Sequence, residues 1–72
     1  MRTAVRRDPR KDPRVGDVVR DGTGTFEVVH RKFGMVCYIF RDRNKFYGYQ
    51  SSSIEDWIES SQENEVINVA KS

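Results

Sequence analysis

The sequence predicts an all-β domain of five strands, with one short helix between the fourth and fifth strands and a disordered basic arm in front. Three observations lead to this fold class. From Val15 onward, short apolar runs alternate with glycines and polar turn residues, a pattern typical of antiparallel strands. Only the stretch around Trp57 has helical spacing. Both prolines lie within the first 14 residues, where few apolar side chains are available for burial.

The first two predicted strands cover residues 15 to 20 and 25 to 32 and form a hairpin. The turn between them contains Gly22 and Gly24, which can supply positive φ angles. In the second strand Phe26, Val28 and His30 share one face, because alternate residues of a strand point the same way. We expect Phe26 and Val28 to face the core.

The third predicted strand, residues 35 to 41, is the most apolar segment, MVCYIFR. Because both of its faces carry apolar side chains, it is expected at the centre of the sheet. Residues 42 to 44 predict a tight hairpin turn to a fourth strand at residues 45 to 51. Gly48 in that strand predicts a bulge, a sharp bend or a close approach of another segment.

A short helix is predicted after the fourth strand. Ser53 and Asp56 have the spacing of a capping box, and Ile54, Trp57 and Ile58 fall on one side of a helix of one or two turns. Acidic residues in its first turn suit the positive end of the helix dipole. The last strand is predicted at residues 65 to 70.

These patterns also define a predicted core. Its members are the apolar side chains that the strand and helix periodicities turn inward. They are Val18, Phe26, Val28, Val36, Tyr38, Phe40, Phe46, Ile54, Trp57, Ile58 and Val69.

Length and composition indicate one domain, with a flexible arm at residues 1–14 and the folded unit at residues 15–72. The only cysteine, Cys37, excludes an internal disulfide and a thiolate-rich zinc site. A chain this small buries only roughly 60% of its unfolded surface, so a homodimer could add burial. No apolar run reaches the ~18 residues of a membrane span, and the arginine-rich start lacks a secretory apolar stretch. We therefore expect a cytoplasmic protein with no membrane partner.

The order of four strands, a helical turn and a fifth strand resembles an SH3-like small barrel over residues 15 to 70. The segment GDVVRDGTGTFEVV, residues 16 to 29, resembles the opening hairpin of barrels in the KOW group of ribosomal proteins and elongation factors. The peptide-binding signature ALYDY is absent, so the resemblance does not imply binding of proline-rich peptides. The segment DPRKDPRVGDVVR, residues 8 to 20, resembles small uncharacterised proteins encoded by phages and prophages, which implies an origin rather than an activity.

The net charge of +2 conceals an uneven distribution. Residues 1 to 14 carry six positive and two negative side chains. The rest of the chain carries seven positive and nine negative side chains, and five of these acids fall within residues 55 to 65, which contain no lysine or arginine. One end of the chain is therefore basic and the other acidic.

The basic arm predicts association with nucleic acid, because arginine and lysine bind phosphates and release condensed counterions. A second group of cations surrounds the later hairpins beside two tyrosines that could stack on bases. In the alternative interpretation the arm only increases solubility, and the hairpin turns are charged because they are exposed to solvent. The predicted nucleic-acid-binding residues are Arg2, Arg6, Arg7, Arg10, Lys11, Arg14, Arg31, Lys32, Arg41, Arg43, Lys45, Tyr47 and Tyr49.

Two other functions use the same features. A protein-binding adaptor, or an inhibitor of a host protein, would present the acidic stretch at residues 55 to 65 to a basic partner. A binder of small ligands would use Tyr47, Tyr49 and Trp57 around a pocket. Under this hypothesis Trp57 would contact the ligand. Its helical spacing favours a position in the core instead.

Catalysis and metal binding are not predicted. His30 and Cys37 could meet in a hairpin, but nothing in the sequence predicts a group that orients the imidazole. The carboxylates lack the spacing of a metal site, and the DGTGT turn lacks the GK[ST] of a phosphate-binding loop. We therefore expect a binding protein that is not an enzyme and has no cofactor, no metal and no catalytic residues.

Overall fold

In the described part of the chain the fold consists of one sheet of five antiparallel strands and one helix. The computed structural model describes residues 7–42 and 45–70, without the side chain of Phe46. The elements are β1 (Val18–Arg20), β2 (Thr25–Lys32), β3 (Met35–Asp42), β4 (Lys45–Ser53), α1 (Ile54–Ser61) and β5 (Glu65–Asn68). The strand order is β4-β3-β2-β1-β5, and within the described residues the sheet does not close. The predicted mostly-β class and element order are confirmed, whereas the barrel stays a prediction.

β2 has the predicted bounds, and its pairing with β3 contains a bulge that the sequence does not indicate. Val28 pairs with Tyr38, and the next pair is His30 with Cys37. β2 therefore contains one extra residue, Val29, between these two pairs. A bulge of this kind moves every later side chain to the opposite face of the strand. The prediction that His30 shares the face of Val28 is therefore wrong.

β4 contains a second bulge, at the glycine that predicts it. The register shifts between Ile39 and Arg41 of β3, and Gly48 of β4 has a φ angle of 90°. Glycine adopts this angle without steric cost, whereas other residues are strained there. Of the three predicted possibilities the register shift shows the bulge, and the close approach is not observed, since a Cβ on Gly48 would meet nothing within 4 Å.

The turn between β1 and β2 is closed by a side chain. Asp21 Oδ1 accepts hydrogen bonds from the backbone nitrogens of Thr23 at 2.7 Å and Gly24 at 3.0 Å, and from the Thr23 hydroxyl at 2.6 Å. Neither Gly22 nor Gly24 has a positive φ angle, so that part of the prediction is wrong. Gly24 serves a close approach instead, because a Cβ there would lie 2.2 Å from the carbonyl oxygen of Arg41.

α1 begins after Ser53, as the capping pattern predicts. The Ser53 hydroxyl accepts a hydrogen bond from the backbone nitrogen of Asp56 at 3.1 Å. Trp57 lies against the sheet with 3% of its surface exposed, and its indole Nε1 donates to the carbonyl of Pro9 at 2.9 Å. Trp57 therefore both packs α1 on the sheet and binds residues 7–14, which are termed the N-terminal segment.

The core lies between α1 and one face of the sheet, and this face is termed the inner face. Most of the predicted core residues contribute to it, and Phe40 and Ile58 are half-buried. The buried members are Val19, Val28, Val36 and Trp57, with Phe26, Tyr38, Ile54 and Val66 packed against them.

The predicted core is wrong at two positions. Val18 is only partly buried, because its neighbour Val19 pairs with Phe26 of β2 and takes the inward position. Val69 lies beyond the end of β5 and is 43% exposed. Ile39, which the prediction omits, is buried, with 7% of its surface exposed. Phe46 lies outside the described side chains.

Residues 7 to 14 pack against the domain, which differs from the predicted disordered arm. The side chains of Pro9 and Pro13 are fully buried. The backbone nitrogens of Lys11 and Asp12 donate to the carbonyl of Asp8 at 2.9 and 2.8 Å, closing a turn. The two prolines supply apolar surface for burial, which a count of charged residues does not consider. Their rings also restrict the backbone of the unfolded segment, so less conformational entropy is lost when it packs. Residues 1 to 6 lie outside the described residues, and the domain boundary stays a prediction.

Asp17 joins the N-terminal segment to the sheet. Its side chain is fully buried and accepts hydrogen bonds from the Arg7 guanidinium, from the backbone nitrogen of Arg14 at 2.8 Å and from that of Ala70 at 2.7 Å. Its own carbonyl accepts from the backbone nitrogen of Val28 at 2.9 Å. Burial raises the pKa of the Asp17 carboxyl, but these hydrogen bonds and the Arg7 charge outweigh burial and hold the pKa below its usual value.

Replacing Asp17 is expected to remove most of the stability of the domain. Asp17→Asn leaves the guanidinium of Arg7 without its charge partner, and breaking a buried pair costs about 3–5 kcal/mol of unfolding free energy. Urea denaturation measures the loss. The control is Glu65→Gln, which removes the exposed ion pair with Arg20 at 2.5 Å and is expected to cost less than about 1 kcal/mol. Equal losses in the two variants would contradict the structural role of Asp17.

Acid is expected to weaken the fold through the same carboxylate. Because the folded-state pKa of Asp17 lies below the unfolded value of about 3.9, its stabilising contribution is complete above that value. The contribution is lost as the pH falls through the unfolded pKa and then the folded pKa. Denaturation at a series of pH values measures the decline, and a ¹³C NMR titration of the Asp17 carboxyl gives the folded pKa. A titration midpoint at or above about 4 would contradict the prediction.

Candidate functional site

The predicted nucleic-acid-binding residues do not form one surface in the structure. Arg2, Arg6 and Arg43 lie outside the described residues. Lys11 is exposed beside Ile58 of α1. The others divide into arginines that bind within the fold, a cluster at the turn between β2 and β3, and a cluster at the opposite end of β3.

Arg7 and Arg10 stabilise the fold. Arg7 pairs with Asp17, and only 13% of its side chain is exposed. Arg10 pairs with Asp8 at 3.1 Å, and its guanidinium lies 3.4 Å from the carbonyl oxygen of Asn64. The hydrogen bond from Arg10 holds the pKa of the Asp8 carboxyl below its usual range. Because their donors bind protein oxygens, these arginines contribute less to phosphate binding than the sequence suggests.

Two further arginines converge on one carboxylate. Arg14 lies 3.3 Å and Arg31 lies 3.1 Å from the carboxylate of Asp12. Arg31 also donates to the carbonyl of Pro13 at 2.6 Å. The bulge in β2 makes this possible, because it turns Arg31 to the face that the N-terminal segment covers. Roughly half of the Arg14 side chain and a third of the Arg31 side chain stay exposed.

The next two residues lie beside Arg31 at the end of the hairpin, with Lys32 on the opposite face of β2. Lys32 is exposed, and Phe33 at the turn between β2 and β3 is fully exposed, at 103% of its reference area. The turn is held in place because the carbonyl of Gly34 accepts a hydrogen bond from the backbone nitrogen of Ile54 at 2.9 Å. Arg14, Arg31, Lys32 and Phe33 are together termed the basic tip.

Phe33 is absent from the predicted site, where it counts only as a turn residue. A large apolar side chain at a two-residue turn is unusual, since polar residues and glycine favour such positions. An apolar residue at a turn position, directly after two cations, is therefore the sequence signal that identifies Phe33. The approach of Arg14 to the same surface depends on the folded N-terminal segment and has no sequence signal.

The second cluster lies at the other end of β3. Arg31 pairs with Val36, whereas Arg41 lies roughly 16 Å further along β3 at the usual rise of a strand. Arg41 donates to Glu27 at 2.9 Å, and Lys45 is exposed on β4. The cations that the sequence assigns to one hairpin patch are thus divided between two ends of the sheet.

The two predicted tyrosines lie on opposite faces because the bulge in β4 stands between them. Tyr47 is 48% exposed, stacks on Phe40 with ring centroids 5.4 Å apart, and has the Nζ of Lys45 at 6.0 Å from its centroid. Tyr49 is 74% exposed and pairs with Ile39 on the other face. They do not form a continuous stacking surface.

His30 and Cys37 are register partners across β2 and β3, as the hairpin suggested. His30 is exposed, and among the described residues it has no hydrogen-bond partner that would orient its imidazole. The described part of the chain also contains no group of three histidine, cysteine, aspartate or glutamate side chains placed to hold a metal ion. The absence of catalysis stays a prediction.

Comparisons of the chain with protein-family models, curated proteins and solved structures find no match. The resemblances to SH3-like barrels and to phage-encoded proteins therefore stay predictions. In the ranges that the structure describes, no helix has the length and apolar character needed to cross a membrane.

Proposed function

We propose that this protein is a non-enzymatic binding protein that holds single-stranded nucleic acid at its basic tip. The observation that supports the proposal most directly is the fully exposed ring of Phe33 beside Arg31 and Lys32. Proteins that bind single strands combine aromatic rings that stack on bases with cations that follow the phosphates. A duplex hides its base faces, so an exposed ring favours a single strand.

The cations of the basic tip supply the phosphate contacts. Arg14, Arg31 and Lys32 outnumber the carboxylate of Asp12, which leaves the surface positive. Asp12 also has a positioning role, because it holds both guanidinium groups near one point while parts of them stay exposed. The sequence also has Arg2 and Arg6 just before residues 7–14. These charges would attract a polyanion without regard to its sequence.

The fold that carries this surface is proposed to be a partly open SH3-like barrel. Two features support this proposal. The described strands pair in the order β4-β3-β2-β1-β5, and along the chain α1 lies between β4 and β5, which agrees with the resemblance in element order. Three register shifts, in the pairings of β1 with β5, β2 with β3 and β3 with β4, would curve the sheet, because bulges bend and twist strands.

Fluorescence anisotropy with labelled single-stranded oligonucleotides tests the proposed function. Phe33→Ala is expected to weaken binding roughly tenfold, since stacking on one base contributes about 1–3 kcal/mol. Lys32→Gln is expected to weaken binding at low salt. It should also make the slope of log K against log salt less steep by about 0.7, the value for one phosphate contact on a single strand. Both side chains are exposed, so neither change is expected to unfold the domain.

Matched controls lie elsewhere on the sheet. Tyr49→Ala removes an exposed ring from β4, and Lys45→Gln removes a lysine charge from the other end of the sheet. Both are expected to change affinity less than twofold, roughly 0.4 kcal/mol. No binding at low salt, or equal losses in the tip variants and the controls, would contradict the proposal.

A further inference from the structure

A cleft of about 350 Å³ opens between α1, the inner face of the sheet and the turn between β1 and β2. Its floor is aromatic and consists of Phe26, Tyr38 and Trp57. The ring centroids of Phe26 and Tyr38 are 5.7 Å apart at an interplanar angle of 62°. Those of Tyr38 and Trp57 are 5.3 Å apart at 60°. The cleft is therefore lined by rings in more than one orientation.

The rim of the cleft is acidic. Asp21, Asp56 and Glu59 line it, and among the described residues no lysine, arginine or histidine does. Burial raises the pKa of the Asp21 carboxyl, but hydrogen bonds from Thr23 and Gly24 outweigh burial and keep the pKa below its usual value. Asp21 is thus ionised at neutral pH. The rim attracts cations and repels phosphates, so this site is distinct from the basic tip in its chemistry.

Two buried polar side chains in the cleft have no partner in the described structure. Ser61 is 2% exposed and Asn64 is 9% exposed, and both line the cleft. Within the described ranges neither the Ser61 hydroxyl nor the side-chain amide of Asn64 forms a hydrogen bond, although the Asn64 backbone nitrogen donates to the carbonyl of Ser61. A buried polar group without a partner costs about 1–3 kcal/mol, so such groups usually face water or a ligand. This observation is independent of the charge on the rim.

We propose that the cleft binds an arginine side chain presented by a protein partner. A guanidinium has five donors, which suits the carboxylates of the rim together with the oxygens of Ser61 and Asn64. It is planar and weakly hydrated, so it also packs on the faces of aromatic rings. A lysine ammonium has only three donors and is more strongly hydrated, which makes it the poorer ligand. This protein-binding activity goes beyond the proposed binding of nucleic acid and uses different residues.

Trp57 provides a direct readout, because it is the only tryptophan of the chain and lines the cleft. The full chain is titrated with a short blocked peptide that contains one arginine, and Trp57 fluorescence is recorded. Matched peptides replace the arginine by lysine or by citrulline, which is a neutral analogue of nearly the same shape. We expect a saturable change with arginine and clearly weaker responses with lysine, which has fewer donors, and with citrulline, which lacks the positive charge. No response to arginine, or equal responses to arginine and citrulline, would overturn the proposal.

Variants locate the binding within the cleft. Glu59→Gln removes one rim charge from an exposed position of α1 and is expected to weaken arginine binding roughly tenfold, the value of one hydrogen bond to a charged group. Glu55→Gln removes the same charge from an exposed residue of α1 that does not line the cleft, and it should have little effect. Asn64→Ala removes the buried side-chain amide, and it too is expected to weaken arginine binding. Circular dichroism checks that this variant still folds. Equal effects of the two glutamate changes would contradict the assignment.

The same variants separate the two sites. Glu59→Gln is expected to leave oligonucleotide affinity within twofold of the wild-type value, and Phe33→Ala to leave the arginine titration within twofold. Loss of arginine binding in Phe33→Ala would place the ligand at the basic tip instead of the cleft and would overturn the proposal. Failure of nucleic-acid binding alone would leave the arginine titration unchanged.

Discussion

The buried carboxylate of Asp17 is the interaction on which the rest of the structure depends. It connects segments that are far apart in the chain, because it binds Arg7 and Arg14 on one side and the backbone after β5 at Ala70 on the other. Four donors act on one side chain, so the cost of burying a charge is offset by hydrogen bonds as well as by the paired guanidinium. By fixing the N-terminal segment, Asp17 also brings Asp12 to the place where Arg31 can reach it.

Much of the positive charge of the N-terminal segment stabilises the fold instead of remaining available for a partner. Arg7 and Arg10 bind carboxylates and carbonyls, while Arg14 and Arg31 share one carboxylate and keep part of their surface in solvent. Counts of basic residues therefore overestimate the charge available for binding. The surface that remains has two distinct regions, a positive tip with an exposed ring and a negative cleft with an aromatic floor, and opposite ligand charges are expected to distinguish them.

Local patterns in the sequence are sufficient to predict most of the strands and the helix. The bounds of β2, the cap at Ser53 and the irregularity at Gly48 depend on residues close together in the chain, and the sequence predicts each of them. The inward position of Val19 instead of Val18 depends on pairing with β2, and the bulge at Val29 has no glycine to mark it. The clustering of tip residues and the cleft around Trp57 depend on contacts between distant segments. Propensity and periodicity do not encode such contacts.

The bulge at Gly48 has a consequence for self-association. β4 is an outer strand of the sheet, and its nine residues would offer a long row of unpaired backbone groups to a strand from another molecule. The bulge interrupts the regular spacing of these groups near the middle of the strand. A regular partner strand could then pair with only one half of β4 at a time. A glycine that separates the two tyrosines onto opposite faces is thus also expected to limit the pairing of β4 with strands of other molecules.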